Sequence, residues 1–210
     1  MACPFELTKD GIESQFGTNH VGHFYFTMNL MSAIEKAGPG ARIVNVSSEG
    51  HTLAPSEGIN FEALETKDPH SLTEIERYGV SKLCNILFTQ GLVERYGHRD
   101  IFINSVHPGL VRTELLRGYF SGTGLASFLT PIINFLITPF TLSAHEGALT
   151  ALYCATSPEI VEKRIQNDYF VPIATSKRKA LSEPAKDLKL AAKLWDFTEK
   201  LIHEAEQAQK

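Results

Sequence analysis

Arg42-Ile43-Val44-Asn45-Val46-Ser47-Ser48 is a short run rich in β-branched residues that closes on two small hydroxyl side chains. A run of this kind reads as a buried strand that carries polar groups to its carboxyl end. Before it, Phe16, Val21, Phe24, Phe26, Met28, Leu30, Met31 and Ile34 give the stretch from Thr8 to Ala37 a mostly helical pattern, opened by Thr8 or Asp10 as a cap and stopped at Gly38-Pro39-Gly40. After it comes a loop rich in Gly, Pro, Ser and charge to about Thr73. A helix is predicted from Glu76 to Tyr96 with Val80, Leu83, Ile86, Leu87 and Val93 turned inward, then a strand from Ile101 to Val106 broken by Pro108-Gly109. The alternation continues with a helix from Ser143 to Ala155, a short strand near Tyr169 to Ile173 and an amphipathic helix from Pro184 onward. Strands separated by helices of this length predict α/β crossovers and a parallel sheet of about three strands.

The chain has 210 residues, 43% apolar and 21% charged, which is the composition of one folded domain and excludes disorder as its main state. With 20 basic and 24 acidic side chains its formal net charge is −4, which removes the footprint of a phosphate-backbone binder, so no nucleic-acid partner is expected. Cys3, Cys84 and Cys154 lie far apart with no C-x-x-C pair, and the opening Met-Ala-Cys-Pro-Phe-Glu has neither a basic nor an apolar leader segment. A cytoplasmic location is the expectation. Cys84 and Cys154 read as small core residues.

Three parallel strands leave an apolar edge, expected along Arg42 to Val46, and natural proteins rarely leave such an edge bare. A second unusual feature is the run from Leu125 to Leu142, LASFLTPIINFLITPFTL, which has no charge and eleven apolar residues in eighteen. Pro131 and Pro139 interrupt it and Asn134 sits near its middle, so it reads first as an apolar lid or pocket wall, ahead of a membrane-surface contact or a span.

Tyr78-Gly79-Val80-Ser81-Lys82 puts a phenol and an ammonium at i and i+4 on one helical face. With 6 Tyr and 12 Lys in the chain, that spacing arises by chance about 0.3 times, so its meaning depends on context. Chemically the pair suits proton transfer near a carbonyl, because an adjacent positive charge favours the phenolate. Ser48, at the end of its strand, can hydrogen-bond a substrate oxygen or cap a turn. Asn19 reads equally as a polar residue capping or bending a helix. His20, His23 and His107 have no acidic or cysteine ligands beside them, so no metal is expected.

Taken together, Asn19 in QFGTNHVGHFYFT, Ser48 in RIVNVSSEGH, the YGVSK run and Asn104-Ser105-Val106-His107-Pro108-Gly109-Leu110-Val111-Arg112-Thr113 occur in one order. That set resembles the short-chain dehydrogenase/reductase family, and MACPFELTKDGIESQFGTNHVGHF and GALTALYCATSPEI look most like its retinol dehydrogenase-like and WW-domain oxidoreductase-like branch. The resemblance implies a Rossmann-type doubly wound parallel sheet. It implies that Tyr78 is the proton donor or acceptor and that Lys82 lowers its pKa while bonding the nicotinamide ribose. Ser48 would orient the substrate oxygen, and Asn19 would hold a water linking Lys82 to solvent. Pro108, Gly109, Val111 and Thr113, with Tyr78 and Lys82, would contact the cofactor, which is NADP or NAD with NADP slightly ahead. The substrate would be a small hydrophobic carbonyl or alcohol, residues 114–142 its loop or lid, and an oligomer is compatible with the family.

The family's TGxxxGxG turn and Asn-Asn-Ala-Gly strand end have no counterpart in residues 1–210. Gly118 to Gly124 match GxxxGxG in spacing alone, since no strand runs into them. The expectation is therefore one domain over residues 1–210 that lacks the amino-terminal cofactor-binding half. The competing function is a catalytically inactive remnant that binds another chain through its open strand edge.

Overall fold

In the computed structural model the residues described are 3–112 and 141–208. Strand β1, Arg42–Val46, lies parallel to β2, Phe102–Val106, in the register Arg42↔Phe102 through Val46↔Val106. Strand β3, Tyr169–Val171, is parallel to β2 on its other side. A fourth strand, β4, Thr175–Ser176, pairs antiparallel with β3 and gives the order β1-β2-β3-β4. The predicted strand from Tyr169 to Ile173 is thus shorter and doubles back. Ala174 takes φ +52, and the chain reverses there, so a strand too short to show a pattern in sequence is added.

The long helix predicted from Thr8 begins later and is not uniform. Thr8 and Gly11 form a turn instead, and the carboxylate of Glu13 caps α1, Ser14–Phe16. The chain then widens into a π-helical turn, Gly17–Val21, before α2, Gly22–Lys36. The loop after β1 contains a 3-10 turn, Glu49–Leu53, and α3, Phe61–Thr66. Helix α4, Glu74–Tyr96, is opened by a Thr73–Glu76 capping box. Helices α5, Ala144–Thr156, α6, Pro158–Glu162, and α7, Leu188–Ala208, complete the α-helices among the described residues.

Burial explains the layering. Every residue of β2 is buried, as in a central parallel strand covered on both faces. Ile103 faces Phe24, Phe88, Leu92 and Trp195 from α2, α4 and α7. Phe102 and Val106 face Cys154 of α5 and Ile160 of α6. Helix α4 is buried nearly all round, and the amide nitrogens of two of its polar residues find partners inside: Asn85 donates to the Val46 carbonyl at 3.0 Å, and Gln90 donates to the Ala185 carbonyl at 2.6 Å. Cys84 and Cys154 are core residues.

Among the described residues β1 pairs only with β2 and forms the expected open edge. Val46 at that edge is exposed, as are Phe26 and Leu30 on α2 and Leu152 on α5. No helix among the described residues is long and apolar enough to cross a membrane. Of the apolar run from Leu125, only positions 141 and 142 are described, and the remainder of the 114–142 loop and Thr113 lie outside the described residues.

Candidate active site

The carboxyl ends of β1 and β2 open into a cleft of about 1010 Å³. In parallel sheets this is the end at which ligands are bound. Ser48 leaves β1 and enters the 3-10 turn, where its Oγ accepts the Gly50 N–H at 3.0 Å. The capping reading of Ser48 is therefore correct as local structure. One acceptor site is used in that bond, and the residue lines the cleft.

Helix α4 brings Tyr78 and Lys82 to the same cleft. The Lys82 ammonium lies 5.8 Å from the Tyr78 ring centre and donates to the Val46 carbonyl at 3.4 Å. Partial burial pushes its pKa below the ordinary lysine value. The helix is fixed to the strand end by the Ser47 hydroxyl, which donates to the Lys82 carbonyl at 2.7 Å. The carbonyl of Lys82 and its ammonium are thus both tied to the end of β1, at Ser47 and at Val46.

Two glycines missed as functional positions in the sequence let these elements meet. A Cβ on Gly50 would stand 2.7 Å from Tyr78 Cε1. One on Gly79 would stand 2.5 Å from the Ala54 nitrogen and 2.7 Å from the Leu53 carbonyl carbon. The glycine after the tyrosine is therefore required for the helix to lie directly on the 3-10 turn. A Tyr-Gly pair on a helix that otherwise favours larger residues is the only sequence signal for it.

After β2, His107, Pro108, Gly109, Leu110 and Val111 line the other side. Gly109 takes φ +90, which turns the chain back along the cleft. Val111 forms an isolated bridge with Leu142: the Leu142 N–H donates to the Leu110 carbonyl, and the Arg112 N–H donates to the Leu142 carbonyl. The Val111 N–H and C=O take no part in those two bonds. Sequence reading also passed over His107 as a cleft residue. Its Nε2 lies 3.7 Å from Glu49, its Nδ1 is buried without a partner among the described residues, and burial lowers its pKa.

Of the predicted site residues, Ser48, Tyr78, Lys82, Pro108, Gly109 and Val111 converge on one cleft. Asn19 does not line it. The π-helical turn aims its amide at α4, where Nδ2 donates to Ser81 Oγ at 2.9 Å and the Ser81 hydroxyl donates to the Tyr78 carbonyl at 2.8 Å. Asn19 therefore reaches the cleft through the backbone of Tyr78.

A hydroxyl, a phenol and an ammonium at the carboxyl edge of a parallel sheet define a site suited to moving a proton at a carbonyl or alcohol oxygen. No family model matches the chain. It is 40% identical over 208 residues to short-chain dehydrogenase TIC 32 A, chloroplastic, of Brassica napus, covering 96% of this chain and 61% of that protein. It is 36% identical over 200 residues to human retinol dehydrogenase 14, covering 95% and 55%. A solved structure of an uncharacterized protein from Mycobacterium paratuberculosis superposes with TM-score 0.65 at 30% identity, covering 96% of this chain and 63% of that one. A 4-hydroxyisoleucine dehydrogenase mutant complexed with NADH and succinate shares the fold at TM-score 0.52 and 19% identity, covering 80% and 59%. Over nearly its whole length the chain is thus similar to members of the short-chain dehydrogenase/reductase family. It spans about three fifths of the length of the curated relatives it matches.

Proposed function

We propose that this chain carries the proton-transfer and nicotinamide-facing part of an NAD(P)-dependent oxidoreductase that interconverts a carbonyl and an alcohol on a small hydrophobic substrate. The observation that carries the reading is the convergence of Ser48, Tyr78 and Lys82 with the Pro108 to Val111 segment on one cleft. Tyr78 gives a proton to the substrate oxygen in reduction and takes it back in oxidation. Lys82 stabilises the phenolate form by its charge, an effect strengthened where water is partly excluded. Ser48 donates its hydroxyl proton to the same oxygen and holds it against the phenol. Leu110, Val111, Leu142, Ala144, Ala148, Val171 and Pro172 supply apolar walls, which favour a hydrophobic substrate.

The residues fit the nicotinamide and ribose end of such a cofactor. Lys82 has an ammonium with a single long bond to protein among the described residues, so it retains donors for ribose hydroxyls. The Val111 amide and carbonyl face away from Leu142 and can pair with a carboxamide. When bound, the cofactor supplies or accepts the hydride. The adenosine end has no equivalent cradle among the described residues: β1 runs into a 3-10 turn and β2 into a Pro-Gly turn, and neither ends in a glycine-rich turn opening a helix. Titration with NADPH and with NADH, followed by cofactor-dependent reduction of a hydrophobic aldehyde by wild type and Tyr78→Phe, tests this reading. Saturable binding with turnover abolished in the variant is the expected result. Turnover retained by Tyr78→Phe rejects the proton role.

A second reading, a catalytically silent chain that pairs with another polypeptide through β1, is favoured by the open edge and the exposed Phe26, Leu30, Val46 and Leu152 around it. Absence of any saturable NADPH or NADH binding up to millimolar concentration favours it over the first.

A further inference from the structure

His51 is 2% exposed and lies three residues beyond Ser48, in the 3-10 turn that joins β1 to the rest of the site. It grips Ser48 twice. Its backbone N–H donates to the Ser48 carbonyl at 3.0 Å, and its ring Nδ1 lies 2.8 Å from the same oxygen. A carbonyl oxygen only accepts, so Nδ1 carries the hydrogen. On the far side of the ring, Nε2 faces the Ser182 N–H at 3.5 Å and is the acceptor. Both contacts demand the same neutral tautomer. The ring also packs edge-on against Tyr169 of β3, with centroids 5.4 Å apart. Burial lowers the His51 pKa and so favours the neutral ring these contacts need.

We propose that His51 is a positioning residue for the Ser48 hydroxyl, acting as a neutral Nδ1–H imidazole that holds the Ser48 carbonyl and ties the turn to the Ser182 segment. Ser48 is held at its carbonyl by two donors and at its Oγ by the Gly50 N–H, and its hydroxyl proton is left to serve the cleft. Without the ring donor, the carbonyl keeps one bond inside a short 3-10 turn, whose geometry is poor to begin with. The hydroxyl then loses its fixed distance from Tyr78. This role rests on the dehydrogenase reading of the cleft, although the geometry of the turn does not.

The test compares His51→Asn, whose amide can place a donor where Nδ1 stands, with His51→Leu, which is similar in size and has none. Two quantities are read: the hydrogen-exchange rate of the Gly50 amide, and kcat and KM for NADPH-dependent reduction of nonanal. His51→Leu is expected to speed Gly50 exchange and to lower kcat by about 10- to 100-fold with KM for nonanal little changed, while His51→Asn restores both. Wild-type exchange and kcat in His51→Leu, or equal impairment in both variants, overturns the proposal. A readout that needs no variant is the long-range ¹H–¹⁵N correlation of the His51 ring, and a proton found on Nε2 with Nδ1 bare also overturns it. If wild-type protein reduces nonanal with neither NADPH nor NADH, the dehydrogenase reading fails by that result alone, and the exchange rates and tautomer still decide whether His51 holds the turn.

Discussion

Gly50 and Tyr78 approach so closely that a methyl group on the glycine would stand 2.7 Å from Cε1 of the phenol ring. The 3-10 turn after β1 is therefore one wall of the slot in which the phenol sits. Gly50→Ala is expected to displace the ring and reduce kcat by about tenfold or more, since misplacing a reacting group by a fraction of an ångström to an ångström has effects of that order. Steady-state kinetics beside the thermal midpoint of the variant check it, and kcat unchanged from wild type is the contrary result.

Gly79 poses a stricter constraint, because the atoms nearest an added Cβ belong to the Leu53–Ala54 backbone rather than to a side chain that can turn aside. Gly79→Ala is expected to push α4 off the turn and cost about 2–3 kcal/mol of stability by overpacking. Urea unfolding of variant and wild type measures this directly. A loss below about 0.5 kcal/mol, the range of ordinary surface changes, contradicts the close approach.

The Asn19 to Ser81 bond at 2.9 Å joins the π-helical turn to α4. Asn19→Ala, Ser81→Ala and the double variant form a cycle in which a coupling energy of about 1 kcal/mol is expected, the net worth of one intramolecular hydrogen bond. Additivity of the two single changes shows that the bond contributes nothing.

His20 is fully buried beside Phe16, Phe24 and Phe88, with Nε2 on Thr198. Burial drives its pKa down to about 3, and the neighbouring Asn85 offsets only part of that effect. The sign follows from proton uptake. Above pH 6.5, the ordinary value, folded and unfolded chains both hold a neutral ring; below it the unfolded chain takes up a proton that the folded chain refuses. Stability is therefore present above pH 6.5 and lost as pH falls toward 3, at about 1.4 kcal/mol per pH unit from this group. Denaturation across that range in wild type and His20→Gln tests it through a shallower slope in the variant.

The elements with a clear period were legible from residues alone. Arg42–Val46, Phe102–Val106 and Glu74–Tyr96 lie within two residues of their predicted positions, because alternating or helical burial writes itself into the choice of Ile, Val and Leu. Thr175–Ser176 and Phe61–Thr66 were hidden, being too short to repeat any period. The π-helical turn at Gly17–Val21 leaves no pattern distinct from an α-helix. At the cleft, the Tyr78 and Lys82 spacing and the strand-end Ser48 were readable because local geometry brings them forward. Gly50, His51 and His107 were not, since each matters through a residue distant in sequence or through a backbone contact. The contact of the Asn19 amide with Ser81 was not legible either, because it depends on how far one widened turn rotates the side chain.

Helix α4 serves the interior and the cleft at once. Its buried faces contact the sheet, α7 and the 3-10 turn, and the same 23 residues present Tyr78 and Lys82. A change on this helix that altered reactivity would disturb packing in the same stroke, so divergence of substrate preference has little room there. The freedom lies at the rim, at Leu110, Leu142, Ala148 and Lys177, where side chains line the cleft without filling the core. The fold thus separates what must be inherited together from what can drift, and new specificities in chains of this kind should arise by exchange of rim residues around an unaltered helix.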